Sequence, residues 1–206
     1  MKNVVLFDFD ETLIFENSLM SLFEYYCDRN KVFGYSILSI CDRRFYTRQY
    51  KKAIKCTLYR NVLRGQSEES LTIAGVDTAN KLTPIRNVVE DLQNYVNLGK
   101  EVWIVTASPE LFVRGIVDSF GWPVNKVIGT KMNSNSGILD GSFDKECEWG
   151  EKVERLTAEA NNMKGSVSFY SSYGNLPQDE QIISVAKYHF QVKNGHLSQI
   201  YLGEEL

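Results

Sequence analysis

The sequence predicts an α/β protein: a doubly wound parallel sheet flanked by helices, with a separate block of helices inserted after the first strand. Two patterns carry this. Val4, Val5, Leu6 and Phe7 form a continuous apolar run, as expected of a strand buried on both faces, whereas a half-wet strand alternates. From about residue 84 strands and helices alternate with short connections, the pattern of parallel strands joined by crossover helices. A long stretch of helical character separates the two. The core is therefore expected to comprise residues 1–14 plus 82–206, and the helical insertion residues 15–81.

The first strand ends at two acids, Asp8 and Asp10, in VVLFDFDETLI. Unpaired in a core, each carboxylate would cost several kcal/mol to desolvate, so both are expected just beyond the strand's carboxyl end, where open α/β sheets hold ligands. In the insertion, Arg44, Arg48, Lys52 and Lys55 share one helical face and Tyr46, Tyr50, Ile54 and Leu58 another, predicting one amphipathic helix with a cationic side. Pro84-Ile85 opens a helix with Val88, Val89, Leu92, Tyr95 and Val96 at helical spacing, ended by Gly99. Val102 to Thr106 reads as a strand. The next helix runs from Glu110 to Gly121, with Ser108 as N-cap and Pro109 in its first turn. Then follow a short strand in VNKVIGT, hairpin turns at NSNSG and DG, a helix in EWGEKVERLTAEA, a strand in SVSFYSS, a short helix in QDEQIISVA and a last strand in YHFQV.

A chain of 206 residues, 43% apolar and 24% charged, can bury one sizeable core and carry an inserted subdomain. Met1-Lys2-Asn3 leads directly into the first strand, and no apolar window reaches the ~20 residues a bilayer requires, so a cytoplasmic location is expected. Cys27, Cys41, Cys56 and Cys147 form no Cys-x-x-Cys pair, which disfavours zinc or a disulfide scaffold and points to buried free thiols. The net charge of −3 is unevenly spread. Arg29 to Arg64 holds ten basic residues and one acid, Asp42, a net of +9 that leaves −12 for the remainder and suggests an anionic partner near the basic part.

FDFDETL resembles the D-x-D-x-T/V-L signature of the haloacid dehalogenase superfamily. With IVTASPE, GILDG and WGEKVERL in order, the chain is similar to the phosphoserine-phosphatase-like subclass, which carries a helical cap just after the first motif. The resemblance implies a Rossmann-like core and hydrolysis of a small phosphomonoester, dependent on Mg2+, through an aspartyl-phosphate. Asp8 then matches the nucleophile, and Asp10 the group that protonates the leaving alkoxide and later activates water, its backbone carbonyl also reaching the metal. Thr106 matches the phosphate-binding hydroxyl. Lys152 matches the lysine that offsets the gathered negative charge, with Lys131 and Lys145 as weaker candidates. Taken alone, a lysine on a helix is usually a solvated surface residue. Thr12, Asn17, Ala107 and Ser108 are candidate phosphate or substrate contacts, Ser108 being equally an N-cap.

The fourth motif departs from the family's G-D-x-x-x-D. In YGNLPQDEQII, Asn175 stands at the first acid position and Asp179 at the second. With Asp8 and Asp10 they are the candidate metal ligands. An asparagine offers an oxygen without charge, so weaker metal affinity is expected.

Asn17 takes the place where phosphoserine-hydrolysing relatives carry a glutamate for the substrate's amino group, and an amide recognises an ammonium poorly. The cationic face, interleaved with Phe45, Tyr46, Tyr50 and Tyr59, suits a substrate with extra negative charge or an anionic surface. One alternative is a lipid head-group phosphatase, of the phosphatidylglycerophosphatase type, at an anionic membrane surface. Another is a fold with impaired catalysis that serves as a binding module. No nucleic-acid partner is expected, since no recognised binding motif accompanies the basic helix.

Overall fold

The computed structural model describes residues 2–47 and 49–201. The strands of the main sheet are β1 (Lys2–Phe7), β2 (Glu101–Pro109), β3 (Lys126–Thr130), β6 (Val167–Gly174), β7 (Tyr188–Lys193) and β8 (His196–Ile200), and β4 (Ser134–Asn135) and β5 (Ile138–Leu139) form a separate small hairpin. The six-stranded sheet runs β3-β2-β1-β6-β7-β8. All neighbours in it are parallel except β7 and β8. This is the doubly wound core the apolar patterning predicts.

The continuous apolar run of β1 has its explanation in two buried layers. Val5 and Phe7 pack into one cluster with Val88 and Leu92 of α6 (Arg86–Asn97) and Phe112 and Ile116 of α7 (Glu110–Phe120). Val4 and Leu6 face the other way, onto Leu156 of α8 (Gly150–Asn161) and Ile182 of α9 (Glu180–Ser184). Successive side chains of a strand alternate faces, so burial on both sides requires every position to be apolar. The α7 helix closes on Gly121, whose φ of 64° is the left-handed C-terminal cap that glycine adopts without penalty.

Between β1 and α6 lie α1 (Ser18–Tyr26), α2 (Arg29–Leu38), a 3-10 turn (Ser39–Cys41), α3 (Arg43–Tyr46), α4 (Tyr50–Val62) and α5 (Glu68–Ala79). The single amphipathic helix predicted around residues 43–58 is two helices. The Thr47 hydroxyl and its N–H both bond to the Arg44 carbonyl, which ends α3 by satisfying that acceptor locally. Arg48, assigned to the cationic face, lies outside the described residues. A last strand was expected in YHFQV, but β8 follows it. Asn194 and Gly195, both with positive φ, make the tight turn that pairs β8 with β7. The cysteines are free, yet only Cys147 is buried. Cys27 and Cys56 are half-buried and Cys41 is exposed.

The inserted helices have no separate core. Leu22 and Phe23 of α1, Tyr59 of α4 and Leu71 of α5 belong to the same buried cluster as Phe7 and Phe112. Two helices, α5 and α7, approach each other closely. A Cβ added at Gly115 would sit 2.1 Å from the Thr72 carbonyl oxygen, and one at Gly75 would sit 2.1 Å from that of Phe112. The two backbones touch where side chains would normally separate them.

Helix propensity alone makes Gly→Ala worth about 1 kcal/mol of stabilisation. Gly34→Ala in α2, with nothing within 4 Å of the new Cβ, should therefore raise stability in urea unfolding. Gly115→Ala should lower it by about 1–3 kcal/mol through overpacking. Equal effects of the two substitutions would contradict the close α5–α7 crossing.

Candidate active site

The sheet order reverses at β1, which has β2 on one side and β6 on the other, and ligands in open α/β sheets gather at the carboxyl ends of the strands at such a point. Asp8 lies directly beyond β1, and its N–H donates to the carbonyl of Tyr173 in β6 at 2.9 Å. The Tyr173 ring is stacked between Phe7 and Phe190, each with its centroid 4.5 Å away, so that carbonyl sits on a rigid aromatic ladder across three strands. The chain then turns sharply at Glu11, whose φ of 57° is uncommon for a non-glycine residue.

Lys152 reaches Asp8 from the first turn of α8. Its ammonium donates to Asp8 Oδ1 at 2.6 Å and to Asp179 Oδ1 at 2.7 Å, and all three groups are buried. Burial, reinforced by the Asp179 carboxylate, pushes the Asp8 carboxyl up to about 7 against the pull of Lys152. Burial works against the charge on Lys152, but Asp8 and Asp179 outweigh it and hold the ammonium above the usual lysine range. Lys152 is thus a fixed cation. Of the weaker candidates, Lys145 pairs with Glu151 at 3.2 Å and Glu154 at 3.3 Å, and Lys131 lines a neighbouring cavity with Glu110 and Met132.

Asp10 is held by the insertion. Its Oδ1 accepts the N–H of Ser18, the first residue of α1, at 2.7 Å, and its Oδ2 accepts from the Ser108 hydroxyl at 3.4 Å. Burial raises its carboxyl above the usual range, with the Ser18 hydrogen bond pulling the other way. Ser108 is not the N-cap expected of it, because β2 continues through Pro109. Its hydroxyl instead pairs with the Ser18 hydroxyl at 2.7 Å, and its N–H donates to Thr106 Oγ1 at 3.1 Å. Thr106 is buried, and Ala107 lines the cleft. Asn17 also lines the cleft, but its side-chain oxygen caps α1 by accepting the Met20 N–H. Thr12 is fully buried, and its hydroxyl has no hydrogen-bond partner among the described residues.

The last two candidates follow β6. The Asn175 N–H donates to Asp179 Oδ2 at 2.9 Å, and its side-chain amide donates to Glu11 Oε2 at 2.7 Å. Both Asp179 oxygens are thereby committed, one to Lys152 and one to the Asn175 backbone. Like the Asp10 carboxylate, that of Asp179 holds protein groups with both of its oxygens.

These groups open into a cleft of ≈ 680 Å³ lined by eight carboxylates and five lysines, an imbalance that would repel a phosphate dianion. Asp8, the Asp10 carbonyl and the Asn175 amide oxygen are all oxygen donors, the set a hard cation prefers. Among the described residues no group of three or more His, Cys, Asp or Glu is arranged to hold a metal. An ion here would rest on amide and main-chain oxygens as well as on acids. The donor chemistry fits, at lower charge than an all-carboxylate site.

Sequence reasoning missed the support around these residues. Thr130 donates to the Ala107 carbonyl at 2.6 Å and accepts the Cys147 N–H at 3.0 Å, tying the end of β2 to the segment before α8. Lys55 of α4 bonds to Glu146 and Glu148. Only Ser18 carried a readable signal, as the helix start after an Asn N-cap.

Removing one partner of a buried ion pair leaves the other charge uncompensated. Lys152→Met, unfolded with chelator present, should lose about 3 kcal/mol of stability, whereas Lys145→Met, at an exposed side chain, should leave it nearly unchanged. A small loss at Lys152 would mean that the Asp8 and Asp179 carboxylates do not depend on it.

A family model of haloacid dehalogenase-like hydrolases matches residues 5–182. Several solved structures share the fold. A protein of unknown function from Bordetella pertussis Tohama I is 18% identical with a TM-score of 0.66, covering 88% of this chain and 87% of that one. A phosphoserine phosphohydrolase-like protein from Francisella tularensis is 20% identical with a TM-score of 0.55, covering 89% and 82%. A phosphoserine phosphatase with a phospho-aspartyl intermediate analogue is 16% identical with a TM-score of 0.55, covering 90% and 83%. No curated protein sequence matches the chain. On the extent of the family match, the chain belongs to the haloacid dehalogenase-like hydrolases.

Proposed function

We propose that the protein is a Mg2+-dependent phosphomonoesterase that hydrolyses a small phosphorylated metabolite through an aspartyl-phosphate. The observation that carries this is the buried contact of Asp8 with Lys152 at the sheet's reversal point, with Asp179 holding Lys152 from behind. Lys152 engages Oδ1 of Asp8 and leaves Oδ2 without a protein partner among the described residues, available to attack phosphorus. Asp10, its carboxyl raised by burial, is suited to give a proton to the leaving alkoxide and, once ionised, to take one from the water that cleaves the acyl phosphate. Ser18 and Ser108 fix its direction. The irregular end of β2 at Thr106–Ser108 supplies hydroxyl and amide groups for the phosphoryl oxygens. When bound, Mg2+ would supply the positive charge that the carboxylate-rich cleft needs to receive a phosphate dianion, held by Asp8, the Asp10 carbonyl and Asn175. Residues 15–81 serve as the cap in this reading, with α1 over Asp10 and α4 along the cleft.

A second reading places the substrate in a membrane surface. Phe33, Ile37, Leu38 and Ile40 are exposed on the insertion within its basic segment, a combination that suits an anionic lipid interface. Among the described residues no helix is long and apolar enough to cross a membrane.

Phosphate release from an aryl phosphate should require both Mg2+ and Asp8. Asp8→Asn should reduce it at least about 10³-fold while thermal unfolding stays cooperative, since the whole covalent route passes through that oxygen. Turnover surviving in Asp8→Asn would rule out the aspartyl-phosphate. Asn175→Asp should lower the Mg2+ concentration for half-maximal rate, because it adds a charged oxygen ligand. An unchanged or higher requirement would remove Asn175 from the ligand set.

A further inference from the structure

The charged groups in the cleft wall are almost all paired within the protein. Glu146 and Glu148 bond to Lys55, Glu151 to Arg155 and Lys145, and Asp144 accepts from the Asn133 amide. Lys152 is shared by Asp8 and Asp179. Lys51 and Lys52, on the first turn of α4, line the same cleft, are exposed, and enter no ion pair among the described residues. They share that cleft with Asp8, so a phosphoester held at Asp8 has its leaving group in the same cavity as these two cations. At the rim stands Trp149, 54% exposed although it lines the cleft, with a φ of 49° that few non-glycine residues adopt.

From these unmatched charges we infer that Lys51 and Lys52 form the leaving-group subsite, and that the preferred substrate is a phosphomonoester bearing a second anionic group, a carboxylate or another phosphate. Trp149 covers the carbon skeleton between the two anions. The inference rests on the phosphatase reading and names the substrate class for it. Two adjacent ammonium groups at the open side of the cleft bind a separate anion without disturbing the Asp8–Lys152 pair. A neutral alkyl leaving group leaves them solvated and gains nothing from them.

The test is a series of ω-carboxyalkyl phosphates and alkanediol bisphosphates set against n-alkyl phosphates of the same length, with Mg2+. In the native protein kcat/KM should favour the doubly anionic compounds by about tenfold or more, corresponding to roughly 1.4 kcal/mol. In the Lys51→Gln/Lys52→Gln double variant that ratio should fall to near one. The carboxylate and bisphosphate arms distinguish which anion the subsite takes. No preference in the native protein, or a preference unchanged in the double variant, overturns the proposal. If no ester is hydrolysed at all, the phosphatase reading fails separately. Binding still decides the subsite in that case, through the Trp149 fluorescence change on titration with ω-carboxyalkyl phosphonates against alkyl phosphonates, with Trp149→Phe as control. Equal affinities for the two phosphonates would then reject the subsite.

Discussion

The buried ammonium of Lys152 between Asp8 and Asp179 is the interaction on which the remaining site geometry depends. It brings together three segments far apart in the chain: the end of β1, the start of α8 and the loop after β6. Charges taken out of water are tolerated only when each is paired with good geometry. Here one cation serves two carboxylates, and Asp8 Oδ2 is left without a protein partner among the described residues. Burial first, and the Asp179 carboxylate second, lift the Asp8 carboxyl to about 7 against the pull of Lys152. The same buried triad positions Asp8 Oδ2, the oxygen proposed to attack phosphorus.

The backbone supplies the precision that the ion pairs alone lack. Asp8 is tied to Tyr173 through its N–H, and Tyr173 is locked by ring stacking and by hydroxyl hydrogen bonds with Asp91 and Tyr95. A Cβ on the next residue, Gly174, would lie 2.6 Å from Cβ of Asp179, so glycine there lets the Asp179 carboxylate fold back beneath Asn175. Asn175 differs from an acid in using its side-chain amide to donate to Glu11. An aspartate could not make that bond. The amide joins the two turns that follow β1 and β6, and this gives the asparagine a structural advantage where an acid would contribute only charge.

The fold was legible because its signals are local and repeated. Four consecutive apolar residues in β1 and the alternation of strands and helices after residue 84 each encode burial directly. The D-x-D-x-T pattern is similarly local. Contacts between distant segments were not legible. The spacing of Lys131, Lys145 and Lys152 alone does not tell which one reaches Asp8, and it was the resemblance of WGEKVERL to the family's motif that singled out Lys152. Ser108 read equally well as an N-cap or a ligand contact, and its extended backbone and bond to Ser18 decided the matter. The break between α3 and α4 escaped notice because helical periodicity continues through a turn that Thr47 closes with its own hydroxyl. The β7–β8 turn was different: Asn194-Gly195 is a strong hairpin signal, but the strand after it is too weakly apolar to draw attention.

The excess of positive charge between Arg29 and Arg64 is resolved by the same distinction between local and distant contacts. Read along the chain it is one cationic block, yet in the fold it divides. Lys55 is largely withdrawn from solvent, and although burial opposes its charge, Glu146 and Glu148 hold it protonated. Those two acids lie on the segment that enters α8, the helix bearing Lys152. The insertion is consequently fastened to the core at two points of one stretch of structure: α1 holds Asp10 through Ser18, and α4 holds the approach to Lys152 through Lys55. With α5 packed backbone to backbone on α7, the helices over the cleft share their hydrophobic cluster with the sheet beneath. A wall so attached defines the cleft through fixed charges and shape, and selectivity then follows from which of its cations remain unpaired.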